Sequence, residues 1–374
     1  GIYVGIEPGE DRTGEIALKM AEKHGNIHVY QFSERRGKIA VLKDLVAKSG
    51  KGSAGGEQRS GQADLGEDSG EILLFTDANT MFRPDAIEKL LGHFEDREVG
   101  GVCGRLVLKV RDMGGGRRDG DRRLQTADCR LQTADCRQQT ADRRLQTADR
   151  RREKGRDERA VEGVYWDWEA KLKEAESDND SCLGANGAIY AVRRDLFPSD
   201  VPDNTIVDDF VIGMKVREKG ARMVYEPDAV AEEDLPEQAD EWKRRVRIGA
   251  GDFQAMKLCA GCLSPRCGKF AVMFWSHKVL RWFTPHIIIA LFIAVWGCLA
   301  RDPGNGFCRM IMALFGTVCA CGLAGSMASG NRSVLFRLCR FADHFLTMQA
   351  ALFTGFLKFC RGNLSGRWER TGRR

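Results

Sequence analysis

Hydrophobic and polar positions divide the chain in two. Up to about residue 265, short apolar runs alternate with amphipathic stretches; beyond it the apolar runs lengthen and lose their charges. In the first part, IYVGI (Ile2 to Ile6) predicts a strand, Gly14 to His24 a helix, IHVYQF a strand and Lys38 to Lys48 a helix. ILLFTD (Ile72 to Asp77) predicts a buried strand, Pro84 to Phe94 a helix with Pro near its start, and VGGVCGRLVL a further strand. Strands alternating with helices predict an α/β domain with a mainly parallel sheet and flanking helices, its ligands held at the strand carboxyl ends.

The second part has membrane character. Phe283 to Ala300 and Met310 to Ala328 contain no Asp, Glu, Lys or Arg and are 18 and 19 residues long. Each is long enough to cross about 30 Å of hydrocarbon. Arg301 to Gly306 is a short polar turn between them. Before the first span, Lys269 to Phe283 mixes Trp275 and Trp282 with Lys269, Lys278 and Arg281, as in a helix lying in the membrane interface. A third apolar stretch, Phe345 to Phe359, is only 15 residues long. It reads as a short span or as a re-entrant or interfacial helix. The expected organisation is a domain over 1–265, an interfacial helix over 266–282, and a membrane region over 283–374 with two or three helices and a basic tail. Arg332, Arg337 and Arg340 place the loop after the second span in the cytoplasm, together with the large N-terminal domain. The tail, with Arg361, Arg367, Arg370, Arg373 and Arg374, prefers the same side, which conflicts with a third span.

Composition changes this picture little. The formal charge is +5, and Met113 to Arg159 alone carries 14 basic and 9 acidic residues, so the remainder is close to neutral and no nucleic-acid partner is expected. That block includes a period-seven repeat: LQTADCR from 124 and from 131, QQTADRR from 138 and LQTADRR from 145. Only one apolar position and an Ala recur, so no coiled-coil seam exists, and residues 111–160 read as a solvated insertion. Residues 49–70, rich in Gly, Ser and Gln, read as a flexible insertion. Thirteen cysteines are scattered; Cys259, Cys262 and Cys267 have metal-like spacing but no fourth ligand beside them. The chain opens directly on a strand without an initiator Met, so its true N-terminus is expected upstream.

The chemistry gathers at the strand ends. In ILLFTDAN, Asp77 and Asn79 lie on one side as the strand stops, where they can hold a divalent cation against phosphates; a turn or N-cap is the plainer reading. Glu7, at the end of the first strand, suits hydrogen bonds to a nucleobase or ribose, or else belongs to a helix start. Arg35-Arg36-Gly37-Lys38 offers cations to a diphosphate at a helix N-terminus, or is a solvated charge run. Asp208 and Asp209 form an acid pair at a helix start, which alone also serves as a cap. Arg244 and Arg247 share a helical face suited to a pyrophosphate or to anionic lipid.

Taken in order, these segments resemble the membrane-embedded family 2 glycosyltransferases, relatives of the cellulose, hyaluronan and poly-N-acetylglucosamine synthases. IYVGIEPGEDRTGEIA resembles the nucleotide-contacting segment, with Glu7 where Asp is usual, and Lys38 falls in the basic segment before the next helix. Asp77-Ala78-Asn79 resembles the DxD metal motif with its second Asp replaced. Leu183-Gly184-Ala185-Asn186-Gly187-Ala188 resembles the acceptor-side loop. Val207-Asp208-Asp209 falls at the TED motif, which puts Asp209 at the general base, and Arg244-Arg245-Val246-Arg247-Ile248 resembles Q/RxxRW with Ile248 for Trp. The family normally begins upstream with another strand and often a membrane helix. The resemblance implies a GT-A-like fold and inverting transfer from a nucleotide sugar, a UDP-sugar first, to a growing polysaccharide. A glycolipid product, or a degenerate nucleotide-sugar-binding protein, are the alternatives. It further implies Mg²⁺ or Mn²⁺ as cofactor, Glu7, Lys38, Asp77, Arg244 and Arg247 on the donor, and Gly184, Asn186 and Asp208 on the acceptor side. The protein would be integral to the inner or plasma membrane, with its catalytic domain cytoplasmic.

Overall fold

The computed structural model describes residues 1–9, 11–51, 72–109, 168–234, 241–327, 333–362 and 364. The heptad repeat, most of the 49–70 insertion, Arg332 and the basic tail beyond Arg361 lie outside the described residues.

The elements expected before residue 110 all form: β1 (Ile2–Ile6), α1 (Thr13–Lys23), β2 (Ile27–Gln31), α2 (Lys38–Lys51), β3 (Ile72–Phe75), and, after a short unexpected strand β4 (Met81–Phe82), α3 (Ala86–Gly92) and β5 (Val99–Lys109). Then follow α4 (168–179), β6 (Tyr190–Arg193), α5 (Asp208–Glu218), β7 (Arg222–Asp234) and α6 (Glu241–Leu258).

The expectation of a mainly parallel sheet needs correction. β1 and β2 pair in parallel as a two-stranded sheet, while the larger sheet has the order β3-β6-β5-β7-β4. Within it, β6 is antiparallel to both β3 and β5, and β4 is antiparallel to β7. Because β3 and β5 each oppose β6, they run parallel to one another, as their connection through α3 predicts. A strand from much later in the chain has entered between them, which the local alternation of strand and helix cannot reveal. Their shared core joins Ala86, Leu90 and Phe94 to Val102, Ile189, Ala191, Ala229 and Ala231.

The chain forms two compact units. One comprises Gly1–Val107, Leu172–His286 and Ala351–Arg374; the other comprises Leu108–Lys171 and Ile287–Ala350. In the first, α7 (Lys269–Met273) runs through a π-helical stretch, Phe274–Val279, into α8 (Leu280–Arg301). The expected interfacial helix and first span are therefore one continuous helix. α8 and α9 (Gly306–Met327) belong to the two helices, among the described residues, that are long and apolar enough to cross a membrane. In the second unit their faces carry exposed Ile293, Trp296, Leu314 and Leu323, apolar surface that water alone would not favour.

The third apolar stretch lies in α10 (Val334–Cys360), a 27-residue helix. Its C-terminal part belongs to the first unit and packs on α6. Gly355 lies so close to α6 that an added Cβ would come within 2.6 Å of the Ala250 nitrogen and 2.9 Å of the Val246 oxygen. Beside this crossing, the buried Phe253 ring meets Phe356 at 4.9 Å between centroids. Gly355→Val should therefore lower stability by about 1–3 kcal/mol, the usual cost of overpacking; a melting midpoint equal to wild type would show that the crossing relaxes freely.

Candidate functional site

The site lies where β3, the loop before β6, α2 and α5 converge. β3 ends at Phe75, and Asp77, two residues on, continues the same side. Lys38, the first residue of α2, reaches it with Nζ 2.7 Å from Asp77 Oδ1. Gly187 marks the meeting point, because a Cβ there would come within 3.0 Å of Lys38 Nζ, 3.2 Å of Asp209 Oδ2 and 3.3 Å of Asp77 Oδ2. A side chain at 187 would fill the space these groups share. Asp208 and Asp209 occupy the first turn of α5, where their charge complements the helix dipole.

Burial sets the electrostatics. Desolvation pushes Asp208 up to about 6, with the neighbouring Asp209 and Asp77 adding to the shift and Lys38 opposing it. Asp208 Oδ2 has no hydrogen-bond partner among the described residues. For Lys38, burial acts against its charge, but Asp208, Asp77 and Asp209 outweigh it and hold the ammonium above its ordinary range. Arg247, on α6, is moved down by desolvation, while Asp208 and Asp209 favour its charge. One ammonium and one guanidinium thus face three carboxylates, an arrangement able to neutralise a diphosphate on one side and to accept a proton on the other.

The other expected residues have more local duties. Glu7 Oε1 accepts from the backbone amides of Arg36 (2.6 Å) and Gly37 (2.8 Å), joining the end of β1 to the start of α2. Asn186 donates from Nδ2 to the Gly104 carbonyl (2.7 Å) and accepts the Ile189 amide on Oδ1 (3.3 Å), so its amide holds the loop in place. Gly184 takes a φ of +75° and packs against the Phe210 ring. Arg244 pairs with Glu241 on its own helix (3.1 Å). Asn79 lies on the exposed turn after β3.

Among the described residues no group of three or more His, Cys, Asp and Glu side chains forms a metal centre. Asp77 and Asn79 are donors of the kind a hard cation takes, a carboxylate and an amide oxygen, with Asp77 already paired to Lys38. Cys259, Cys262 and Cys267 do not come together as a group able to hold a metal ion among the described residues.

One residue escaped the sequence reading. Tyr190 on β6 pairs directly with Phe75 and stacks on its ring at 4.9 Å, so it shares the face that leads to Asp77. The ring is fully buried, and its hydroxyl lacks a partner among the described residues. Burial raises the phenol well above its ordinary value, and the nearest charges adding to this are Asp208, Asp209 and Asp77.

The fold is shared with a solved glycosyltransferase. In particular, the chain is similar to the mannosyltransferase PcManGT from Pyrobaculum calidifontis, solved with GDP-Man and Mn²⁺. The TM-score is 0.54 at 19% identity, over 96% of this chain and 77% of that one. S. aureus TarS 1-349 matches over 96% of this chain and 82% of its own, with 12% identity and a TM-score of 0.32, too slight a likeness to bear on the fold. No family model matches the chain, and no curated protein matches it in sequence.

Asp208 predicts a pH signature. Its folded value lies above its ordinary one, so the stability it contributes is present below about pH 4 and is lost as pH rises through about 6. Relative to wild type, Asp208→Asn should gain on the order of 2–3 kcal/mol between those limits and stay level above them. Thermal melts from pH 4 to 8 check this; a pH-independent difference would contradict it.

Proposed function

We propose that this chain is a membrane-bound inverting glycosyltransferase of the family 2 type, moving a sugar from a nucleotide-sugar donor to a growing glycan at the membrane. The observation that carries the reading is the convergence of Lys38, Asp77 and Asp209 on Gly187. The glycosyltransferase fold supports it.

In this reading Lys38 and Arg247 face the diphosphate and stabilise the charge that develops as it leaves, the electrostatic contribution that usually dominates such transfers. Asp77 and Asn79 would hold a divalent cation, Mg²⁺ or Mn²⁺, whose chemistry there is further neutralisation of the same oxygens. Asp209 takes the proton of the acceptor hydroxyl as that oxygen bonds to the anomeric carbon. The bond from that carbon to the phosphate oxygen breaks on the opposite side, which inverts the centre. Asp208, buried beside the base, helps keep Lys38 charged. Asn186 and Gly184 shape the acceptor side, Glu7 fixes the loop that presents Lys38, and Arg244 lies at the margin of the donor site.

The two apolar helices cross the membrane as a hairpin, which returns the chain to the side from which it left. The catalytic unit is then cytoplasmic, on the same side as Arg337 and Arg340, which satisfies the positive-inside rule without a third span. A lipid acceptor would use the same helices.

The test is sugar transfer in membranes from a panel of radiolabelled UDP-sugars and GDP-mannose, with Mg²⁺ or Mn²⁺. Asp209→Asn should lose about 10²–10⁴-fold in rate while nucleotide affinity is kept; full activity in that variant would remove Asp209 from the mechanism. A ladder of product lengths marks a polymer, and one extractable glycolipid marks the lipid acceptor. Nucleotide binding without transfer from any donor would leave a binding protein and refute the reading.

A further inference from the structure

α4 lays two side chains, one turn apart, on the loop that carries Gly184. Lys173 donates from Nζ to the carbonyl oxygens of Gly184 (2.9 Å) and Leu183 (3.4 Å), and Glu176 Oε2 accepts the Leu183 amide (3.0 Å). Glu176 is 1% exposed, and a carboxylate so buried needs more than one partner. Its second oxygen, Oε1, meets Nδ1 of His277 at 2.7 Å.

His277 belongs to the π-helical stretch between α7 and α8. Such wide turns inserted into a helix often occur at functional positions. The same stretch supplies Phe274, and Trp282 follows within α8; their rings lie 6.2 Å and 5.8 Å from that of Phe210. Phe210 directly follows Asp209, and its ring closes the space beside Gly184. Gly213, one turn further along α5, packs on the same loop, where a Cβ would come within 2.7 Å of the Ala185 nitrogen. One helix therefore reaches the acceptor-side loop through the His277–Glu176 hydrogen bond and the base-bearing turn through aromatic contacts.

Resting on the reading of Asp209 as the base, we infer that His277 and Glu176 are positioning residues, holding the Leu183 and Gly184 peptide units in register with Asp209 and so setting how an acceptor hydroxyl is presented. Neither touches the reacting atoms. Their effect passes through the loop, so it falls on the acceptor and spares the nucleotide.

The experiment compares His277→Leu and His277→Asn with wild type in the full chain, in membranes. The Asn amide nitrogen stands where the imidazole Nδ1 does, so it restores the donor to Glu176; Leu does not. In His277→Leu, amide exchange across residues 181–187 should accelerate about tenfold or more, and transfer at low acceptor concentration should fall about 10–100-fold. Nucleotide affinity should be unchanged, and His277→Asn should lie within about threefold of wild type in both measurements. Unchanged exchange in His277→Leu overturns the inference. So does a loss shared by the whole fold and not restored by Asn, since that would be a structural role alone. If wild type transfers no sugar, the glycosyltransferase reading falls by itself, and the exchange comparison still decides whether His277 holds the loop.

Discussion

Three carboxylates, from the end of β3 and the first turn of α5, gather around the ammonium of Lys38, and Asp208, the buried one of the three, would be costly to bury without it. The arrangement is held together by mutual need. Asp208 has little exposure to water, Asp77 and Asp209 lie within reach of it, and the Lys38 ammonium offsets their repulsion. The surrounding backbone serves this gathering. Glu7 fixes the start of α2 so that Lys38 points inward, Gly187 leaves the shared space open, and the Asn186 amide ties the intervening loop to its neighbours. The same feature makes the site suited to a polyanion. In the proposed reading, a diphosphate entering beside Lys38 and Arg247 would replace carboxylate partners with phosphate oxygens rather than meet bare cations.

Most of this site is local in sequence and was legible there. An apolar strand ending in Asp77, a basic run before α2, an acid pair at the start of α5 and arginines spaced on α6 are each contained within a few residues. Their pairing is not local, and there the reading thinned. Arg244 and Arg247 look alike along the helix, yet Arg244 is tied to Glu241 while Arg247 feels the acid pair. Asn186 looks like a ligand for an acceptor until its amide is seen to be spent on backbone groups. Lys173 and Glu176, set among charged residues on an amphipathic helix, look like a solvated face, and only the folded chain brings His277 to them.

The sheet shows the same limit. Every strand and helix expected before residue 110 is present, because apolar periodicity over five to ten residues reports on an element's own burial. Neither β6 nor β7 was anticipated. YAVR is four residues long, and what makes it a strand is its position between β3 and β5, each running against it. That position also places Tyr190, the residue no motif signals, beside the carboxylates.

The close crossing of α6 and α10 has a consequence for the architecture of the chain. His286, the last residue of the first unit before the apolar hairpin, packs against Phe353, just after the chain re-enters that unit, with ring centroids 5.2 Å apart. Entry and exit are thus neighbours, as in proteins that carry one domain inserted within another. The boundaries at 286 and 350 fall inside the continuous helices α8 and α10, so the same two helices that pack within the first unit also carry the chain out of it and back.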